Sequence, residues 1–140
     1  MKTNKIFGVL LLLCIATFGY SQEGKEIEII PGPVITFEEP THDFGDINQG
    51  DKVEHTFAFE NSGNEPLLIT DVRVTCGCTA TEWPRNPIAP GGKSTITVQF
   101  NSAGKKGMQK KVVTIVSNAV SPLNQITITT NVVLKDKDTE

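Results

Sequence analysis

The sequence predicts an all-β protein, a single antiparallel sandwich of seven or eight short strands. Apolar and polar residues alternate with a period of two, and the alternating segments recur roughly every ten residues. Turns rich in Gly, Pro and Asn separate these segments. No stretch after residue 21 keeps a helical period over three turns.

The first 21 residues read as a signal peptide. Two lysines and no acid flank the apolar run at residues 6–18, and small residues precede an expected cleavage site at Gln22. The run is shorter than the about 20 apolar residues that a membrane span needs. We therefore expect export to the periplasm or the cell surface, loss of Cys14 with the signal, and no membrane span afterwards.

The net charge is −3 for the full chain and −5 without residues 1–21, which contain two lysines and no acid. A mildly acidic surface argues against binding to nucleic acid or anionic lipid. The lysines at 105, 106, 110 and 111 are expected to keep an edge hairpin soluble.

Each element follows from local alternation. Residues 22–40 are acidic and rich in proline, so they are predicted to form a flexible leader that ends in an edge strand at 34–37. Further strands are predicted at residues 42–47, 53–60, 67–78, 94–100, 109–117 and 126–134. The strand at 67–78 is predicted to continue through 79–83, so that residues 67–83 offer an edge hairpin. The domain is thus assigned to residues 41–134 and a charged tail to residues 135–140.

The residue patterns of three predicted strands indicate how each strand lies in the sandwich. In 53–60, the inward face is predicted to hold Val53, His55, Phe57 and Phe59. The pattern of 67–78 changes parity, which indicates either that both faces are partly covered or that a bulge near Thr70 and Asp71 exchanges them. An unbroken apolar run within 109–117 marks a central strand. Strands of this number and spacing are typical of an immunoglobulin-like sandwich.

The turns and strands of the chain contain an ordered set of short motifs: Asp43-Phe44-Gly45-Asp46-Ile47, Gly50, Phe57-Ala58-Phe59-Glu60-Asn61-Ser62-Gly63, Pro66-Leu67-Leu68-Ile69, Cys76-Gly77-Cys78-Thr79, Pro90-Gly91 and Ser117-Asn118. Over residues 41–134 this set closely resembles the bacterial DUF1573 family. This resemblance implies an exported immunoglobulin-like domain. It supplies no catalytic residues, because the family has no established activity.

Several family residues have structural interpretations. Phe44 is expected to fill one end of the core, and Gly45 allows the strand to bend there. The turn at Asn61 is expected to use Gly63 in a left-handed conformation. Pro90-Gly91 fits the two central positions of a type II turn.

The tripeptide Cys76-Gly77-Cys78 holds the only cysteines that would survive signal cleavage. Alternate residues of an extended strand lie about 6.8 Å apart, at the limit for a disulfide, so bridging needs a turn at Gly77. Three interpretations remain open: a structural role, a labile redox disulfide, or copper or zinc binding with help from His42 or His55, the only histidines.

The sequence contains no recognisable catalytic constellation or phosphate-binding loop. Trp83 is expected either to be buried against the sandwich end or to contact a partner. We therefore predict a non-catalytic interaction or accessory module that binds another envelope or secreted protein, without cofactor or metal. The alternatives are a thiol-redox or copper/zinc protein and an adhesin or matrix subunit, and the oligomeric state stays open.

Overall fold

The computed structural model describes residues 31–77 and 79–135, which form eight strands in two four-stranded sheets. The strands are β1 (Ile35–Phe37), β2 (Thr41–Asn48), β3 (Lys52–Asn61), β4 (Ile69–Val74), β5 (Thr79–Glu82), β6 (Lys93–Asn101), β7 (Gly107–Ser117) and β8 (Leu123–Val133). The predicted all-β sandwich is confirmed. The predicted signal peptide and most of the predicted tail lie outside the described residues.

The edge strands are β1 and β5 in one sheet and β2 and β4 in the other. The first sheet has the order β1-β3-β6-β5 and is antiparallel throughout. The second has the order β2-β8-β7-β4, in which β2 and β8 are parallel. The chain therefore changes sheets between β1 and β2 along one side of the sandwich, and between β4 and β5 along the other.

The core lies between the inner faces of the sheets, as the alternation predicted. In β3, Phe57 and Phe59 are buried, while Val53 and His55 on the same face are half-buried. The largest fully buried side chains are Phe57, Phe59, Phe100, Leu67, Ile96, Ile115, Ile126 and Ile128. Burial of this apolar surface is the main term that stabilises the sandwich.

The structure contains the short edge strand and the bulge that were predicted in the first half of the chain. β1 is a short edge strand, and β4 has a register irregularity between Ile69 and Asp71 that moves the inward side from odd to even positions. β7 is an inner strand, as predicted from its apolar run.

Three predictions on the strands are wrong. Residues 67–78 and 79–83 do not form one continuous strand or a hairpin, because β4 and β5 lie in different sheets. The lysines at 105, 106, 110 and 111 do not lie on an edge hairpin, since β6 and β7 also belong to different sheets and β7 is internal. β8 ends at Val133, and Leu134 is 61% exposed.

Glycine permits two tight backbone features. Gly45 has φ +69° and lies at the irregularity in the β2–β8 pairing, where its carbonyl accepts a hydrogen bond from Thr130 Oγ1. Gly91 has φ +75°, and the N–H of Gly92 donates to the carbonyl of Ala89 at 2.8 Å. The second geometry confirms the predicted type II turn.

Gly63 is required at its turn, but not for the left-handed conformation that was predicted. Gly63 does not adopt a left-handed conformation. Its lack of a side chain is needed instead for close packing, because an added Cβ would lie 2.6 Å from the nitrogen of Val34 and 2.8 Å from Cα of Pro33.

In the part of the chain that the structure describes, no helix is long and apolar enough to cross a membrane.

Candidate functional site

Cys76 and Gly77 lie where the chain crosses from β4 to β5, not within a strand as predicted. The N–H of Thr79 donates to the carbonyl of Cys76 at 3.3 Å, which closes a turn around Gly77. Cys76 is half-buried and disulfide-bonded. Cys78, the other half of the predicted pair, lies outside the described residues.

Gly77 is exposed and has no steric requirement for glycine among the described residues. An added Cβ would meet nothing within 4 Å, and the backbone is not left-handed. An open cleft of about 490 Å³ borders Gly77 and is lined in part by Lys52, Glu54, Gln99 and Phe100. The turn with the cysteine is therefore accessible from one side.

The two histidines form a contact between the sheets that was not predicted from the sequence. The rings of His42 on β2 and His55 on β3 stack with centroids 3.6 Å apart and an interplanar angle of 5°. Phe44 and Phe57 pack edge-on against them. Burial, and then the charge of His42, lower the pKa of His55.

The structure does not bring the histidines and Cys76 together. His42 and His55 lie on the side of the sandwich formed by β2 and β3, whereas Cys76 lies on the β4 and β5 side. Among residues 31–77 and 79–135, no group of three or more His, Cys, Asp or Glu side chains could hold a metal ion. The joint copper or zinc site considered from the sequence also needs Cys78, which lies outside the described residues, so this site stays a prediction.

Trp83 follows β5 directly and is half-buried against the core. The guanidinium carbon of Arg85 lies 3.6 Å from the centroid of the Trp83 ring. The indole Nε1 is covered and has no hydrogen-bond partner among the described residues. Trp83 thus combines a packed ring with an unused donor, beside an exposed arginine.

The same side of the sandwich carries a second arginine. Arg73 on β4 pairs with Asp71 through a 2.9 Å contact between Nε and Oδ2, and both side chains are largely exposed. The hydrogen bond from Arg73 is the main cause of the lowered pKa of Asp71, to which the charge of Arg85 also contributes. Sequence analysis had singled out Trp83 but not this cluster, since no local pattern shows which two strand edges meet.

The remaining motif residues support the fold. Asn61 is fully buried and hydrogen-bonds to the nitrogen of Val34 and to the carbonyl of Ile88. Phe44 is half-buried against the core. Leu67 and Ile88 form an isolated bridge. Asn61, Leu67 and Ile88 thus tie together the loops at one end of the sandwich, whereas Phe44 packs against the core.

The topology and geometry define an immunoglobulin-like sandwich of the PapD-like kind, and the comparisons with known proteins agree. The chain belongs to the DUF1573 family, whose description is a protein of unknown function and whose model matches residues 35–132. The resemblance stated from the sequence is thereby confirmed. No curated protein matches the sequence.

Solved structures with low identity share this fold. A protein of unknown function from Porphyromonas gingivalis W83 matches at 17% identity and a TM-score of 0.63, over 78% of this chain and 51% of that one. This chain thus spans about half the length of that protein. PapD-like domain 7 of human CEP192 matches at 9% identity and 0.56, over 73% and 87% of the two chains. The Pseudomonas aeruginosa CupB2 chaperone matches at 11% and 0.52, over 69% and 54%.

Proposed function

We propose that this domain is an exported, non-catalytic interaction module of the cell envelope, which binds an extended segment of a partner protein along the free edge of β5. The observation that carries the proposal is that β5 is an edge strand with continuous pairing to β6 on one side only. An open strand edge offers main-chain donors and acceptors to an added strand.

The other three edges are less suited to strand addition. β1 has only three residues. β2 is irregular at Gly45 and carries two aspartates, and β4 is irregular at its start and carries the Asp71–Arg73 pair. Irregular pairing and charged side chains are devices that block edges. β5 also carries one charged residue, Glu82, but it pairs with β6 without irregularity and contains no proline between Thr79 and Glu82.

Two further observations support export and binding. The signal-like sequence at residues 1–21 and the disulfide at Cys76 both fit an oxidising compartment. The likeness to a chaperone is consistent with an interaction role. Trp83 and Arg85 at the end of β5 are residue types that are enriched at the centres of interfaces.

A lysine on the inward face of β5 is expected to block strand addition. Thr81 is half-buried at this edge, so Thr81→Lys would place a charge where the partner strand must dock. We expect a loss of binding of about tenfold or more, equivalent to about 1.4 kcal/mol. The measurement is quantitative recovery of partners from envelope extracts, together with amide-exchange protection of residues 79–82 in the complex.

Thr95→Lys is the matched control, because Thr95 is exposed on β6, an inner strand, and offers no edge. Thermal melts establish that both variants fold. Partners retained by Thr95→Lys and lost by Thr81→Lys would support the proposal. Equal recovery with both variants, or protection elsewhere than in β5, would refute it.

A second candidate function is thiol exchange, favoured by the disulfide of Cys76 in a turn beside an open cleft. In this reaction a substrate thiolate attacks the disulfide and forms a mixed disulfide, and a second substrate thiol then releases the reduced cysteine pair. The substrate is oxidised to a disulfide as the protein is reduced.

Alkylation followed by mass spectrometry tests this candidate. If Cys76 exchanges, protein incubated with a dithiol peptide should gain two alkylated cysteines and the peptide should lose two thiols. The double variant Cys76→Ser/Cys78→Ser should fold but leave the peptide reduced. No change in the peptide with the unaltered protein would exclude the exchange role.

A further inference from the structure

We infer that Trp83 and Arg85 form a carboxylate-recognition site, which selects an extended partner segment carrying an Asp or Glu side chain. This inference rests on the proposed function, because the segment is the one that would pair with β5. The proposed function gives the location of the binding edge, and the inference specifies the chemistry of the partner segment.

The distribution of arginine is the first argument. The chain contains two arginines, Arg73 and Arg85, and both lie on the β4 and β5 side of an otherwise acidic protein. Arginine binds carboxylates through a planar, two-pronged set of donors, which lysine does not have. This side of the sandwich therefore offers both arginines of the chain to an acidic partner.

The two arginines differ in whether their hydrogen-bond donors are already used within the protein. The Nε of Arg73 already donates to Asp71 at 2.9 Å. Arg85 forms no ion pair or hydrogen bond within the described residues, although it lies near enough to Asp71 to lower the pKa of that carboxyl slightly. Because Asp71 is committed to Arg73, the donors of Arg85 remain for a ligand.

The ring of Trp83 holds Arg85 in position. The guanidinium lies 3.6 Å from the ring centroid, within the range of a favourable cation–π contact. A guanidinium fixed in this way loses less side-chain entropy when it binds a carboxylate. Trp83 itself directly follows the last residue of β5, so a carboxylate bound by Arg85 would belong to a chain running along that strand.

The indole of Trp83 supplies a second reason for a ligand at this place. Its Nε1 donor is covered and has no acceptor among the described residues, which is an unfavourable state for a buried donor. A small rotation of the ring on binding would let this N–H donate to a carbonyl or carboxylate of the partner. Glu82, the acidic residue of β5, is exposed on the outer face of the strand, opposite to the inward face of Thr81, and forms no ion pair among the described residues.

A panel of synthetic peptides tests the inference on the whole chain. The probes are hexapeptides of alternating valine and threonine, in which Glu occupies each position in turn, with a matched set that carries Gln. We expect at least one Glu peptide to bind about tenfold more tightly than its Gln counterpart, the strength of one charge-assisted contact. Two-dimensional NMR should show shifts at the amides of residues 79–85 and at the Trp83 indole N–H.

Three variants at two exposed positions, Arg73 and Arg85, assign the effect. Arg85→Gln should abolish the preference for Glu while it leaves the affinity for the Gln peptides unchanged. Arg73→Gln, the matched change at the arginine that is already paired, should keep the preference. Arg85→Lys should restore only part of it, since lysine lacks the planar donors.

The outcomes separate the two proposals. Shifts in β5 with equal affinities for Glu and Gln peptides would overturn the carboxylate inference and leave strand addition standing. A Glu preference that survives in Arg85→Gln would overturn the assignment to Arg85. If no peptide shifts the amides of β5, both the inference and binding along this edge fail.

Discussion

Replacing Asn61 by alanine is expected to lower the free energy of unfolding by about 3–5 kcal/mol. The Asn61 side chain is fully buried and satisfies four main-chain groups. Its Oδ1 accepts from the nitrogens of Val34 and Gly63, at 3.2 and 3.1 Å. Its Nδ2 donates to the carbonyls of Glu65 and Ile88, at 2.8 and 2.9 Å. Alanine would leave the nitrogens of Val34 and Gly63 and the carbonyl of Glu65 without this partner, whereas the carbonyl of Ile88 would keep its bond from the N–H of Leu67.

The loss should exceed that of a comparable asparagine at the surface. Asn118 accepts from the nitrogen of Leu68 at 2.8 Å and donates to the carbonyl of Pro66 at 3.2 Å, but it is exposed. Water can replace both bonds, so Asn118→Ala should cost about 1 kcal/mol or less. Urea unfolding of the two variants measures the difference. Similar losses would mean that burial of the Asn61 network does not control stability.

The strands of this fold could be predicted because alternation is a local property. A period of two places Phe57 and Phe59 on one face whichever strand lies beside them. The irregularity near Asp71 was also visible, since it shifts the inward side from Ile69 to Val72. Predictions of this kind depend only on the spacing of side chains along one strand.

The crossing between β4 and β5 was missed for a different reason. The inward positions are even in β4, at Val72 and Val74, and odd in β5, at Thr79. Because the inward residue of β5 is a polar threonine, alternation of apolar residues does not show this change of parity. The predicted continuous strand across Cys76 and Gly77 is therefore wrong, and the two residues lie in a connection between sheets.

The candidate site could be predicted only in part. Trp83 was singled out as an aromatic residue beside a strand end. Its relation to Arg73 depends on the meeting of β4 and β5, which are edges of different sheets. The stacking of His42 on His55 likewise joins strands from different sheets. Contacts of this kind follow from the packing of the sheets and leave no mark on local spacing.

Replacing Gly63 by alanine is expected to lower the free energy of unfolding by about 3 kcal/mol, a large effect for one methyl group. The added Cβ would lie 2.6 Å from the nitrogen of Val34 and 2.8 Å from Cα of Pro33, and it would also clash with the carbonyl of Gly32. These are main-chain atoms, which cannot move aside as a flexible side chain can. The segment before β1 would have to separate from the turn at Gly63.

Gly45→Ala is the control that separates close packing from backbone conformation. Its Cβ would meet nothing within 4 Å, but its φ of +69° strains any residue with a side chain, at a cost of about 1–2 kcal/mol. Hydrogen exchange distinguishes the two causes. Gly63→Ala should reduce the protection of Ser62 and Asn64, whose N–H groups donate to the carbonyls of Val34 and Gly32. If these amides stay protected and stability falls no further than in Gly45→Ala, the close approach at Gly63 is not what requires glycine.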